Sequence, residues 1–219
     1  MNREQVRARI EEVGILAGVR VPSAELALFA AETVYEAGIP IVEITMTVPG
    51  AVEVISQLTK QYPDFIVGAG TVLDEDTAQR CLDAGARFIT SPGLVPEVLE
   101  FTLKNNVVAI PGALTPSEVI AAWKAGADLV KIFPCGTVGG DAYIRSLKVP
   151  LPQISLIASG GVNQVTAQNF IFAGASALGI RSELTPKEAL QTRQKQWIYE
   201  LARRFTTIVR DARAQMNAI

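Results

Sequence analysis

Lys131 sits inside an apolar run, Leu129-Val130-Lys131-Ile132-Phe133-Pro134, that reads as a short buried β-strand ending in a turn. Burial in a low-dielectric site lowers an ammonium pKa by up to ~3–5 units. The neutral amine that results is the nucleophile Schiff-base chemistry requires. Glu43 is the second misfit, a carboxylate within the strand pattern Ile39-Pro40-Ile41-Val42-Glu43-Ile44. If both point into one interior, they are either a structural ion pair or a nucleophilic lysine with a general acid/base beside it. Buried ion pairs are costly to desolvate and stabilise weakly, which favours the chemical reading.

The 219-residue sequence contains no histidine. Ser-His and Cys-His nucleophile pairs, imidazole bases and His-held metals are thereby excluded. Carboxylate, lysine, hydroxyl and arginine chemistry remain, with no metal or cofactor expected. Cys81 and Cys135 are too few for a disulfide framework and form no CxxC pair. A net charge of −2, with Lys and Arg scattered, argues against a nucleic-acid or anionic-membrane partner. No apolar stretch approaches ~18 residues and the N-terminus lacks a signal-peptide core, so a cytoplasmic protein is expected.

These residues need a scaffold, and the sequence repeats one. A helical stretch, an Ala-Gly pair and a short apolar strand recur at Gly38, Gly85, Gly126 and Gly174, spaced 47, 41 and 48 residues apart. The glycine marks a helix end, where the backbone turns left-handed. One further strand fits between each pair (65–68, 107–110, 154–157), and 14–19 completes eight. Helical patterns cover 23–37, 50–61, 75–84, 95–105, 116–125, 139–147, 163–173 and 186–214. Thr115-Pro116 and Thr185-Pro186 join a cap hydroxyl to proline at the first helical position. Eight strands alternating with helices, with no biased linker, predict an α/β fold: a (β/α)8 TIM barrel with an N-terminal helix, one domain over 1–219. An open doubly wound sheet is the alternative, although no GxGxxG fingerprint accompanies it.

Barrel enzymes carry their chemistry at the C-terminal strand ends. Those ends hold Arg20, Glu43 with Thr45 and Thr47, Gly70-Thr71, Thr90-Ser91-Pro92-Gly93, Pro111-Gly112, Lys131 with Phe133, Ser159-Gly160-Gly161, and Gly179 with Ser182. Gly160 and Gly161, after the seventh strand, offer bare backbone N–H groups leading into a helix N-terminus, an arrangement that suits a phosphate. Arg181 and Ser182, at the eighth strand end, add to that anion site, where barrels recurrently bind phosphate.

With these residues in place, the chain resembles the 2-keto-3-deoxy-6-phosphogluconate / 4-hydroxy-2-oxoglutarate aldolase family. The matching stretches run in order: Ile41-Val42-Glu43-Ile44-Thr45, Val67 to Leu73, Phe88 to Gly93, Ile110 to Glu118, Val130-Lys131-Ile132-Phe133-Pro134 and Ala158-Ser159-Gly160-Gly161-Val162. The resemblance implies a metal-free class I aldolase, a homotrimer of barrels, that cleaves a 2-keto-4-hydroxy sugar acid to pyruvate and an aldehyde. It implies Lys131 as Schiff-base lysine and Glu43 as proton shuttle. Beside them, Pro92 and Phe133 either wall the pyruvate methyl or are plain core.

The family pattern is broken at three places. Many members carry an arginine for the pyruvate carboxylate where this chain has Thr47; others carry one at the end of the first strand, which Arg20 matches. Arg20, with Thr71 and Thr47, is accordingly expected to hold the carboxylate. Cys135-Gly136 and Arg181 are the other departures, Arg181 standing where a small residue is usual. Two other readings stay open on residues alone: a sugar-phosphate isomerase or decarboxylase using Lys131 electrostatically, and a catalytically silent sugar-acid-binding barrel.

Overall fold

The computed structural model describes residues 1–218. Its elements grow from a repeated local device. At Gly38, Gly85, Gly126 and Gly174 the backbone is left-handed, with φ between 96° and 99°. At each, the glycine N–H bonds back to the helix (Gly38 to Tyr35 O), and the next residue reaches one carbonyl deeper (Ile39 to Val34 O). This double bond is the Schellman termination, and it needs a residue without a Cβ penalty at φ > 0. Each turn delivers the chain directly into the next strand. Helix starts are equally local: Ser23 and Asp74 cap their helices, and Thr115 with Glu118 forms a capping box.

The strands are β1 (Ile15–Val19), β2 (Ile41–Thr45), β3 (Ile66–Gly70), β4 (Phe88–Thr90), β5 (Val108–Ile110), β6 (Gly112–Ala113), β7 (Val130–Ile132), β8 (Leu156–Ser159) and β9 (Ala177–Ile180). All described pairings are parallel, in the order β5-β4-β3-β2-β1-β9-β8-β7-β6. The two ends of that order, β5 and β6, are halves of one stave interrupted by Pro111, which has no N–H to give a ladder. The chain itself therefore closes the ring. The fold is an eight-staved (β/α)8 TIM barrel, as the periodicity predicts.

Helices α2 (Ala24–Glu36), α3 (Ala51–Gln61), α4 (Glu75–Asp83), α5 (Pro96–Lys104), α6 (Pro116–Lys124), α7 (Asp141–Lys148) and α8 (Ala167–Phe172) alternate with the strands; α9 (Lys187–Gln191) and α10 (Lys195–Met216) follow. The first helix, α1 (Arg3–Val13), covers the N-terminal end of the barrel. Its Val6 and Ile10 pack with Leu16, Ile41, Ile66, Phe88, Leu129 and Ile157 inside the staves, and Arg3 pairs with Asp128 at 3.0 Å. A larger apolar layer fills the space between the staves and the outer helices. No described helix is long and apolar enough to cross a membrane.

Two expected helices differ. The pattern over 186–214 is two helices, broken where Arg193 takes a left-handed φ of 53° and Gln194 N–H reaches back to Ala189 O. That terminus carries arginine where the four repeat ends carry glycine, so the sequence holds no stop signal there. The helix expected over 163–173 starts only at Ala167. The Asn163 side chain accepts from the Val165 and Thr166 N–H groups (2.9 and 3.0 Å), holding 163–166 in a turn instead.

Candidate active site

Lys131 projects from the middle of β7 and Glu43 from the middle of β2, and the closed ring brings them together across the lumen. Lys131 Nζ lies 3.1 Å from Glu43 Oε2 and 3.5 Å from Oε1. Thr90, the last residue of β4, stands between them: its hydroxyl donates to Glu43 Oε2 at 2.8 Å and lies 3.4 Å from Lys131 Nζ. Glu43 is 1% and Lys131 4% exposed. Glu43 is placed by a neighbour's smallness. A Cβ added at Gly70, on β3, would come within 2.4 Å of Glu43 Oε1, so the carboxylate occupies space that a side chain would take.

Burial opposes both charges, with different outcomes. For Lys131, burial pushes the pKa below the ordinary lysine value; Glu43 resists this, while Arg181 and Arg20 add to it. For Glu43, burial acts to raise the pKa, but Lys131, Arg181 and the Thr90 hydrogen bond outweigh it and hold the carboxyl below its usual value. Both shifts run the same way: Lys131 gives up its proton more readily than an ordinary lysine, and Glu43 stays ionised more readily than an ordinary glutamate. That pair can attack a carbonyl and move protons at the adduct.

The lumen opens outward in two stages. An inner cavity of about 10 Å³, room for one water, is bounded by Glu43, Thr90, Lys131, Ser159 and Arg181 among others. An outer cavity of about 810 Å³ is bounded by Arg20, Gly160, Gly161, Arg181, Ser182 and Lys187 among others. Arg20 is exposed on the rim, where its Nη2 lies 3.3 Å from Thr71 Oγ1. Thr71 itself has φ 61°, an uncommon conformation for a β-branched residue. Thr47 is exposed and its hydroxyl is engaged with Thr45 Oγ1 at 2.9 Å. Phe133 is half-buried beneath Lys131 Nζ, 6.0 Å from its ring centre, and Pro92 is exposed at the mouth.

The Gly160–Gly161 turn faces the outer cavity beside Ser182, but it does not feed a helix N-terminus as expected. Any anion there would meet loop N–H groups without a helix dipole. Sequence reasoning placed Thr90 among the strand ends but gave it no part; the signal was its hydroxyl on the inward-facing end of β4. Among the described residues, no group of three or more His, Cys, Asp or Glu is placed to hold a metal ion. Cys135 is buried, and burial pushes its thiol up to about 11, which disfavours the nucleophilic thiolate.

Comparison with known proteins follows the same lines. Residues 6–201 match the family model for KDPG and KHG aldolase. The 2-dehydro-3-deoxy-phosphogluconate aldolase of Pseudomonas aeruginosa is 33% identical over 166 residues, covering 74% of this chain and 76% of the relative. The KHG/KDPG aldolase of Escherichia coli K12 is 32% identical over 184 residues, 84% of this chain and 86% of the relative. A crystal structure of KDPG aldolase from Legionella pneumophila, with pyruvate captured as a covalent carbinolamine intermediate, matches with a TM-score of 0.81 at 27% identity, over 90% of this chain and 96% of that one. With two thirds of its length and more matched in this way, the chain belongs to the KDPG and KHG aldolase family.

Proposed function

We propose that the chain is a class I, metal-independent lyase that cleaves a 2-keto-4-hydroxy acid to pyruvate and an aldehyde through a Schiff base on Lys131. The observation that carries this reading is the buried Lys131–Glu43–Thr90 cluster, an amine of lowered pKa in contact with a charged carboxylate. Neutral Lys131 attacks C2 of the keto acid, and Glu43 moves protons as the carbinolamine loses water. The resulting iminium is the electron sink. Glu43 then takes the proton of the C4 hydroxyl; the C3–C4 bond breaks, the aldehyde leaves, and its electrons form the enamine. Protonation at C3 and attack by water on the iminium release pyruvate and free Lys131. The iminium supplies the electron withdrawal that a metal would supply, so the reaction needs none.

Arg20 and Thr71, at the ends of β1 and β3, hold the C1 carboxylate, with the Thr47 hydroxyl on the same side of the mouth. Guanidinium–carboxylate pairing through parallel hydrogen bonds also orients the keto carbon. Pro92 and Phe133 wall the pyruvate methyl. The Gly160–Gly161 turn and Ser182 receive the anionic tail of the aldehyde portion, with Arg181 beside them. This reading also takes 1–219 as one catalytic domain, from the unbroken strand-helix repeat, and as a cytoplasmic protein, from the sequence; the homotrimer rests on the family resemblance. Borohydride reduction in the presence of pyruvate, followed by peptide mass mapping, tests the chemistry. A pyruvate-derived mass on the Lys131 peptide is expected; an adduct elsewhere, or none, rejects the reading.

A further inference from the structure

Four residues, Gly18, Ser159, Gly179 and Arg181, bound both the inner cavity at Lys131 and Glu43 and the outer cavity at Gly160 and Gly161. They form the neck between the two. Three of the four are glycine or serine, so Arg181 is the bulk and the charge of that neck. Its side chain is laid inward by its surroundings. A Cβ added at Gly18 would come within 2.7 Å of Arg181 Cγ, so the arginine stem fills the space that a larger residue on β1 would take. Its guanidinium stacks over Phe133, with Cζ 5.1 Å from the ring centre, on the same ring that Lys131 Nζ overhangs. Gly18 and Phe133 thus fix a cation next to the reacting centre, on the opposite side of β1 from β2, since β9 and β2 flank β1.

We infer that Arg181 sets substrate length, selecting a short dicarboxylic aldol such as 4-hydroxy-2-oxoglutarate over a longer phosphorylated sugar acid. The inference rests on the Schiff-base reading above and adds the substrate class. With C2 bound to Lys131, the inner cavity has room for little else, and the part of the substrate beyond C3 has to leave past the residues of this neck. In the dicarboxylic substrate the second carboxylate is attached directly to C4, within reach of a guanidinium beside Lys131. In the six-carbon substrate the phosphate lies several bonds further out, and its carbon chain has to pass Arg181 to reach the Gly160–Gly161 turn. A planar guanidinium suits the near carboxylate because it can offer two parallel N–H donors. A charged hydrogen bond lost from such a site costs roughly 10- to 100-fold in kcat/KM.

The test is aldol addition of pyruvate to glyoxylate and to glyceraldehyde 3-phosphate, by the unaltered protein and by Arg181→Met and Arg181→Lys. Methionine keeps the stem that packs on Gly18 and Phe133 and removes the charge; lysine keeps the charge without the fork. Both reactions pass through the same Lys131 enamine, so any effect on the nucleophile or on folding divides out of the ratio of the two kcat/KM values. The unaltered protein is expected to favour glyoxylate. Arg181→Met should lower the glyoxylate value roughly 10- to 100-fold while the phosphorylated aldehyde holds or gains, and Arg181→Lys should fall between. A preference of the unaltered protein for glyceraldehyde 3-phosphate, or a ratio unmoved in Arg181→Met, overturns the assignment. Borohydride trapping on the same samples separates the two levels. Trapping at Lys131 with an unmoved ratio rejects the role of Arg181 alone, whereas no trapping in the unaltered protein rejects the Schiff-base reading and this one with it.

Discussion

The floor and the mouth of this barrel are built on the same strands, two residues apart, and they have opposite chemistry. Along β2 the residues are Ile41 and then Glu43; along β4, Phe88 and then Thr90. Leu129, just before β7, is followed by Lys131, and Ile157 on β8 by Ser159. The lower layer is apolar and sealed by Val6 and Ile10 of α1. The upper layer collects an amine, a carboxylate, two hydroxyls and, from the residue after β9, a guanidinium. Because strand side chains alternate with a period of two, each step of two stays on the inner face and climbs one layer. The lower layer supplies the burial that makes the upper one costly to charge, and that cost lowers the Lys131 pKa.

Substitutions should therefore separate the two layers. The largest effect is expected at Lys131: Lys131→Ala should reduce turnover to background and abolish borohydride trapping. Activity or trapping that survived would place the nucleophile elsewhere. Glu43→Gln should slow turnover about 10²–10⁴-fold, the usual worth of a general acid/base, while circular dichroism stays unchanged; near-normal turnover would make Glu43 a structural partner only. On the floor, Leu129→Ala should cost about 2–5 kcal/mol in denaturant-measured stability and leave trapping at Lys131 intact in the folded fraction. If it lost trapping without losing stability, the two layers would not be separable.

The pH dependence of the trapping rate sharpens the same comparison. Reaction needs the free amine, so the rate should rise with pH up to a Lys131 pKa below the ordinary lysine range. Arg181 lowers that pKa and Glu43 raises it. The rising limb should accordingly move to higher pH in Arg181→Met and to lower pH in Glu43→Gln. A profile unmoved in both variants would show that burial alone governs the lysine. The smallest expected effect is at the rim, where Arg20→Ala should raise the KM for pyruvate by roughly 10-fold, with partial recovery in Arg20→Ala/Thr47→Arg. An unchanged KM would leave the carboxylate to Thr71 and backbone amides.

Much of this was legible in the sequence because the signals are local. A lysine and a glutamate inside apolar strand runs stand out without any knowledge of the fold. The four Ala-Gly helix ends announce themselves, since only a left-handed turn explains a glycine at that place in each repeat. The break at Arg193 was invisible because an arginine occupies the left-handed position. The Asn163 turn was read as helix because its hydrogen bonds come from a side chain, which periodicity does not register. Arg181 was legible as an unusual residue beside an anion site, but not as one facing the lysine.

By itself, then, the sequence determined the alternation of strand and helix, the barrel it builds, and the two groups able to serve as nucleophile and acid/base. Those follow from spacing along the chain and from the cost of burying charge. Tertiary structure alone decided that Glu43 and Lys131, 88 residues apart, meet at 3.1 Å with Thr90 between them. It also decided that Gly18 leaves room for Arg181 to turn inward. Contacts across a lumen depend on how the ring closes and on which side chains are small enough to yield space, and neither is a property of any one segment of chain.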